Sequence, residues 1–131
     1  MIALDTNVLV RFLVEDDKVQ SRRAKKLVEE AVMDDEDLFV ADLVVVETVW
    51  VLKRSYGLKK EAIAAVLRML LGARNLRFES SDRMARAIDA YQKSRGGFSD
   101  YLIREKAAEW ECETVVTFDS VLQKEKGFTK P

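Results

Sequence analysis

Short apolar runs alternate with helix-periodic segments along the whole chain, and this alternation constrains the fold more than any other feature. Residues 2–5, LFV (38–40), LRF (76–78) and 114–118 read as strands, and a short piece near Phe128 is a candidate fifth. Helical patterns separate them. One passes through Leu9, Phe12 and Leu13. From Asp16 to Met33, Val19, Ala24, Leu27, Val28 and Ala31 recur at helical spacing, and Lys25–Glu29 and Lys26–Glu30 stand four apart. The acidic stretch 34–37 reads as a solvated turn. The run LVVVETVWVL (43–52) is rich in β-branched residues, but it follows Asp42, a good N-cap, and is long for a strand. It is expected to be a helix apolar on most sides. Ile63, Val66, Leu67 and Leu70 mark the next helix. Ser80 and Ser81 cap one carrying Met84, Ala87, Ile88 and Tyr91. After Gly96 and Gly97, Ser99 caps a helix with Ile103, Ala107 and Trp110 inward. Strands alternating with helices predict an α/β domain with a parallel sheet whose first strand is buried. The only proline is Pro131, no repeat or linker interrupts the 131 residues, and the expected unit is one domain, 1–131.

Within this frame, acids stand where an apolar strand should simply end. Ile2, Ala3 and Leu4 run into Asp5, and Val115, Val116 and Phe118 run into Asp119. Ligands of open parallel sheets bind beyond the carboxyl ends of the strands, where these acids lie. Asp100 follows the glycine pair at a helix start, where the helix dipole stabilises a carboxylate. Glu47 sits among Val44, Val45, Val46, Val49 and Trp50, and an acid there is expensive to bury alone. Taken singly, Asp5 and Asp119 read as ordinary helix caps and Asp100 as a first-turn residue. Taken together, four carboxylates can converge. A carboxylate pair about 4 Å apart costs about 4 kcal/mol at an effective dielectric of about 20, so convergence calls for a cation. Hard divalent ions with oxygen ligands, Mg²⁺ or Mn²⁺, suit such a set.

Composition removes most other chemistry. The chain has no histidine, so Ser-His-Asp and Cys-His catalysis, histidine-ligated zinc and histidine proton transfer are excluded. Its single cysteine, Cys112, excludes an internal disulfide and a multi-cysteine zinc site. A net charge of −1 gives no global case for nucleic acid or membrane binding, although 34% of residues are charged and local basic patches are possible. With neither a signal peptide nor a bilayer-length apolar run, a cytoplasmic protein is expected.

In their order and spacing, MIALDTNVLVRFL, ETVWVL, FSDYLI and TFD resemble a PIN domain, and more narrowly the VapC-type toxins of toxin–antitoxin pairs. The resemblance covers nearly the whole chain. It implies a parallel sheet between helices, a three-layer α/β/α sandwich, and metal-dependent cleavage of RNA. Carried over position by position, it makes Asp5, Glu47, Asp100 and Asp119 the Mg²⁺- or Mn²⁺-binding catalytic set. Thr6, Asn7, Ser99 and Thr117 are its polar supports. An antitoxin partner, a homodimer and structured RNA substrates are implied as well. Arg11, Lys53, Arg54, Arg95 and Arg104 are candidate phosphate contacts, with ordinary solvated surface as the alternative. The helix through Leu52 and the one through Leu71 carry apolar surface that suits either the core or a partner. Without histidine, hydrolysis should leave 5′-phosphate and 3′-hydroxyl ends.

Two competing readings exist. VRFLVEDD (10–17), DLVVVE (42–47) and the closing TKP mimic a phosphorylation-switched receiver domain, with strands at the first two. That reading places Glu47 where an aspartate should be and leaves Asp100 and Asp119 unexplained. The other is an inactive PIN-like binding domain, against which all four acids argue.

Overall fold

The structure is a computed structural model and describes residues 1–131. It divides into two compact units, Met1–Glu79 and Ser80–Pro131. The first contains β1 (Ile2–Ala3), α1 (Thr6–Leu13), α2 (Lys18–Met33), β2 (Leu38–Val40), α3 (Asp42–Arg54), α4 (Lys60–Leu71) and β3 (Leu76–Phe78). Its three strands pair in the order β1-β2-β3, all parallel, with Ile2 opposite Leu38, and Leu38 opposite Leu76. The α/β class and the parallel pairing are as the alternation predicts.

Leu38 and Val40 of the middle strand are fully buried, and Leu76 and Phe78 are buried beside them. The expectation of a buried first strand is corrected. Ile2 is 54% exposed, and only Leu4 of that run is buried. β1 is the outer strand of the three, and its apolar residues face solvent where a central strand would cover them. The Leu4 amide still donates to the Phe39 carbonyl at 2.9 Å, which fixes the chain just before Asp5.

α1 packs against both α2 and α3. Asp17 caps α2 by accepting from the Gln20 amide at 2.9 Å. Ala24 and Ala31 face inward, whereas Val19 is exposed. Lys26 pairs with Glu30 at 3.6 Å, but Lys25 reaches back to Glu15 instead of Glu29. The Asn75 amide donates to the Glu36 carbonyl at 2.8 Å, binding the end of the acidic turn to the entry of β3.

α3 is a helix, as its length and preceding residues predict, but it is not apolar on most sides. Val45, Thr48, Val49 and Leu52 form one buried stripe at spacing 3, 4 and 7. The Thr48 hydroxyl donates to the Val44 carbonyl, so burying it leaves no unpaired group. Leu43, Glu47 and Trp50 lie on an open face, and the Arg54 guanidinium stands 5.2 Å from the Trp50 ring. Glu47 therefore stays in solvent. Residues 6–13 and 42–54 are helical, so neither strand of the receiver reading exists.

The second unit contains α5 (Ser81–Lys93), α6 (Phe98–Glu109), β4 (Val115–Val116), a 3-10 turn (Leu122–Lys124) and β5 (Phe128–Thr129). β4 and β5 pair in parallel, Val115 opposite Phe128. Ser80 caps α5, and Met84, Ala87, Ile88 and Tyr91 are buried as predicted. α6 differs from expectation at two points. Its N-cap is Gly97, not Ser99, and its buried face is Phe98, Tyr101 and Leu102. Ile103 and Trp110 are instead 55% and 79% exposed. Starting the helix at Phe98 aligns two large aromatics on one face, and the Phe98 ring meets Tyr91 edge-on at 6.0 Å. Arg83 to Glu109 (2.6 Å) and Arg86 to Glu105 (3.0 Å) lace α5 to α6. No helix of the chain is long and apolar enough to cross a membrane.

Candidate active site

In the first unit, Asp5 caps α1. Its backbone is extended (φ −81°, ψ 160°), and its Oδ1 accepts from the Thr6 amide at 2.8 Å. The Thr6 hydroxyl donates to Glu47 Oε2 at 2.7 Å. One threonine thus holds both acids, Asp5 by its backbone and Glu47 by its side chain, although 41 residues separate Thr6 from Glu47. Each carboxylate keeps one oxygen, Asp5 Oδ2 and Glu47 Oε1, that no protein group engages. Both line a pocket of about 420 Å³ with Thr6, Asn7, Arg11 and Tyr56. Two unengaged carboxylate oxygens beside the Asn7 amide are hard oxygen donors, and no imidazole or thiolate competes for a softer metal. Within either unit, no three acidic side chains are gathered closely enough to cage an ion. Mg²⁺ needs no such cage, because it keeps waters and binds through one or two carboxylates plus substrate phosphate. The donor set fits a hard divalent ion.

The second unit places its acids on two turns. Asp100, half-buried in the first turn of α6, accepts from the Gly97 amide at 2.8 Å, and Ser99 sits beside it in the same turn. Asp119 Oδ1 accepts from the amides of Val121 (2.9 Å) and Leu122 (3.2 Å). The Asp119 amide donates to the Thr117 hydroxyl at 3.1 Å, so Thr117 fixes the turn that carries the acid. Each of these acids also keeps an oxygen outside its capping bond.

A family model described as PIN domain matches residues 2–127. The chain belongs to the PIN domain family. A protein of Aquifex aeolicus (strain VF5) called VapC ribonuclease is 34% identical over 119 residues, covering 90% of this chain and 87% of that protein.

The candidate cations of this PIN domain differ in what already holds them. Arg104 lies over the rings of Tyr101 (5.1 Å) and Phe128 (5.7 Å) and donates to the Lys126 carbonyl at 3.1 Å. Its guanidinium fastens β5 to α6, which is a structural task. Arg54 stacks on Trp50, while Lys53 and Arg95 are exposed. Arg11 is the one held at the carboxylate pocket. Its Nε donates to Gln20 Oε1 at 2.7 Å, and its Nη1 donates to Asp16 Oδ1 (2.8 Å) and to the Tyr56 hydroxyl (3.3 Å). Tyr56 in turn donates to Asp16 Oδ2 at 2.5 Å. The Tyr56 hydrogen bond, then the Arg11 charge, holds the Asp16 carboxyl below its ordinary value. The bond to Asp16 raises the Tyr56 phenol above its own.

Sequence reasoning passed over Asp16, Tyr56, Tyr101 and Glu125. Tyr101 is fully buried, accepts from the Gly96 amide at 2.7 Å and donates to Glu125 at 2.9 Å. Burial first, and the bond to Glu125 after it, push the phenol up. Gly96 is required here because a Cβ would stand 2.7 Å from both Leu122 and the Tyr101 hydroxyl. The signal that was available is the glycine pair, which marked the turn without naming what presses on it.

Proposed function

We propose that this chain is a divalent-metal-dependent endoribonuclease, the toxin of a VapBC-type toxin–antitoxin pair, hydrolysing RNA phosphodiester bonds. The observation that carries the reading is the Thr6 bridge between Asp5 and Glu47, at a pocket where each acid keeps a free oxygen. Its context is a PIN chain 34% identical to a VapC ribonuclease. Asp5 and Glu47 would hold Mg²⁺ or Mn²⁺. Asp100 and Asp119 are assigned to the same reaction on the match of their motifs, FSDYLI and TFD. When bound, the ion supplies water of lowered pKa and neutralises charge developing on the phosphate.

The chain's own residues orient the acids. The Thr6 amide and hydroxyl fix two carboxylates in one register, and Thr117 fixes the Asp119 turn. Asn7 adds an amide at the pocket wall. With no histidine pair to drive attack by the 2′-hydroxyl, water is the nucleophile, and the products carry 5′-phosphate and 3′-hydroxyl ends.

The family match runs through both units, which supports reading residues 1–131 as one PIN domain. An antitoxin and a second copy of the chain are the proposed protein partners, and a cytoplasmic site of action accompanies them. Exposed Leu43 and Trp50 on α3 support a protein partner there.

The test is cleavage of total bacterial RNA with Mn²⁺, Mg²⁺ or EDTA, with mapping of new 5′ ends. Discrete metal-dependent 5′-phosphate ends, lost in Asp5→Asn and Asp100→Asn, are expected. Mainly 2′,3′-cyclic phosphate ends would sink the mechanism.

A further inference from the structure

A second hollow, of about 630 Å³, lies between α1 and α2, and its polar lining is Asn7, Arg11, Gln20 and Arg23. Asn7 and Arg11 also line the carboxylate pocket, so the two hollows adjoin at these side chains. Arg11 is built into that junction. A guanidinium carries five N–H donors. Nε is taken by Gln20 and the Nη1 donors by Asp16 and Tyr56, which leaves the Nη2 amino group unengaged by protein. The side chain is 30% exposed, so its stem is packed while part of its head remains open. Three protein oxygens hold the plane in place, and the entropy of ordering it is met before any ligand arrives. Arg23 stands one turn along α2 from Gln20, is exposed, and has no ion-pair partner. By contrast, Arg77, Arg83 and Arg86 are each paired with an acid.

We propose that Arg11 anchors an RNA phosphate next to the cleavage pocket, and that the strand continues through the α1–α2 hollow to a second phosphate contact at Arg23. Asp16 and Tyr56 are positioning residues that aim the guanidinium. This proposal rests on the ribonuclease reading. RNA is favoured over an acidic peptide because the hollow opens from the pocket assigned to phosphodiester cleavage. The free Nη2 amino group also offers charged N–H donors to a phosphate oxygen.

The test is binding of a short fluorescein-labelled single-stranded RNA of mixed sequence to the full chain in EDTA, across a range of KCl. Each phosphate contact to single-stranded nucleic acid contributes about 0.7 to the slope of log K against log salt. Arg11→Gln and Arg23→Gln are each expected to make the slope shallower by about that amount. Arg11→Gln should weaken binding about tenfold, the scale of one charged hydrogen bond. Arg11→Lys should recover part of the slope. In metal-dependent cleavage, the loss in Tyr56→Phe should fall on KM more than on kcat, with the shift in melting temperature caused by Mn²⁺ unchanged.

Wild-type slopes in folded Arg11→Gln and Arg23→Gln, from a protein that still cleaves RNA, would overturn this path alone. Should Arg11→Gln fail to fold, the exposed Arg23→Gln decides in the same way. Wild-type RNA binding with lost binding of the antitoxin would give the hollow to the peptide and overturn the proposal. A wild-type chain that neither binds nor cleaves RNA would overturn the ribonuclease reading together with it.

Discussion

Asp5 and Asp119 do the same local work in different company. Each follows a short parallel strand, and each accepts backbone amides at the start of the next turn. In the first unit, the threonine after the aspartate reaches a second carboxylate, Glu47, and both acids face one pocket. In the second unit, the threonine two residues before the aspartate binds the aspartate's own amide, and the turn closes on itself. The comparison shows that capping leaves a carboxylate oxygen free for other work. A cap uses one carboxylate oxygen, and what the other oxygen shares its space with decides whether the site can do more.

The largest effect should come from removing charge on the first pair. Asp5→Asn and Glu47→Gln keep the shape of each side chain and remove a charge from the proposed ion site. RNA cleavage should fall at least about a hundredfold, on the scale of deleting one electrostatic group from an active site. Asp119→Asn tests the other half of the comparison. An equal loss there would show that a closed turn also serves the reaction, and an undiminished rate would confine Asp119 to capping.

The two threonines come next. Thr6→Val deletes the hydroxyl that links Glu47 to the Asp5 cap but preserves the Thr6 amide. A loss of about 10- to 100-fold in metal affinity or activity is expected, with recovery in Thr6→Ser. Thr117→Val removes only a bond within its own turn, so its effect on metal affinity should be smaller. Mn²⁺ titration followed by calorimetry measures both. Equal losses would erase the distinction between the two units.

A smaller, purely structural effect separates the units at their turns. Gly96→Ala drives a Cβ against Leu122 and the Tyr101 hydroxyl. Overpacking of this kind costs about 1–3 kcal/mol, read as a lowered melting temperature. Gly57, at φ +64° with open space around its Cβ position, resists substitution through backbone conformation alone. Displacing the Tyr101 hydroxyl from the Gly96 amide should also loosen the turn that carries Asp100.

Much of this organisation is legible locally. LFV, LRF and the inner face of α5 are apolar runs bounded by turn residues, and they fold as read. An acid directly after an apolar strand is equally local, which is why Asp5 and Asp119 stand out. The misreadings have physical causes. Ile103, Ala107 and Trp110 share a helical stripe as regular as Phe98, Tyr101 and Leu102, and periodicity cannot rank two stripes on one helix. The size of the aromatics and the start at Phe98 decide it. The valine-rich run concealed the open face that carries Glu47. The Arg11–Asp16–Tyr56 cluster was invisible because Tyr56 stands 40 residues from Asp16, beyond any short-range pattern.

The smallest expected effect concerns pH and again divides the two units. The Asp16 carboxyl is held below its ordinary 3.8, first by the Tyr56 hydrogen bond. Its contribution to stability is therefore fully present above that ordinary value and is lost as pH falls through the depressed folded value. Tyr56→Phe removes the first cause of the depression. The gap in melting temperature between wild type and Tyr56→Phe should hold steady from neutral pH down to the ordinary carboxylate range, then close. On the alkaline side both units respond alike. Tyr56 and Tyr101 are raised above 10.0, Tyr56 by its bond to Asp16 and Tyr101 chiefly by burial. Each contribution is present below that value and disappears as pH rises through the raised one. Thermal melts of wild type, Tyr56→Phe and Tyr101→Phe across both ranges check this. A gap for Tyr56→Phe that stays constant to the lowest pH would mean that the hydroxyl acts by packing alone and that Asp16 does not depend on it.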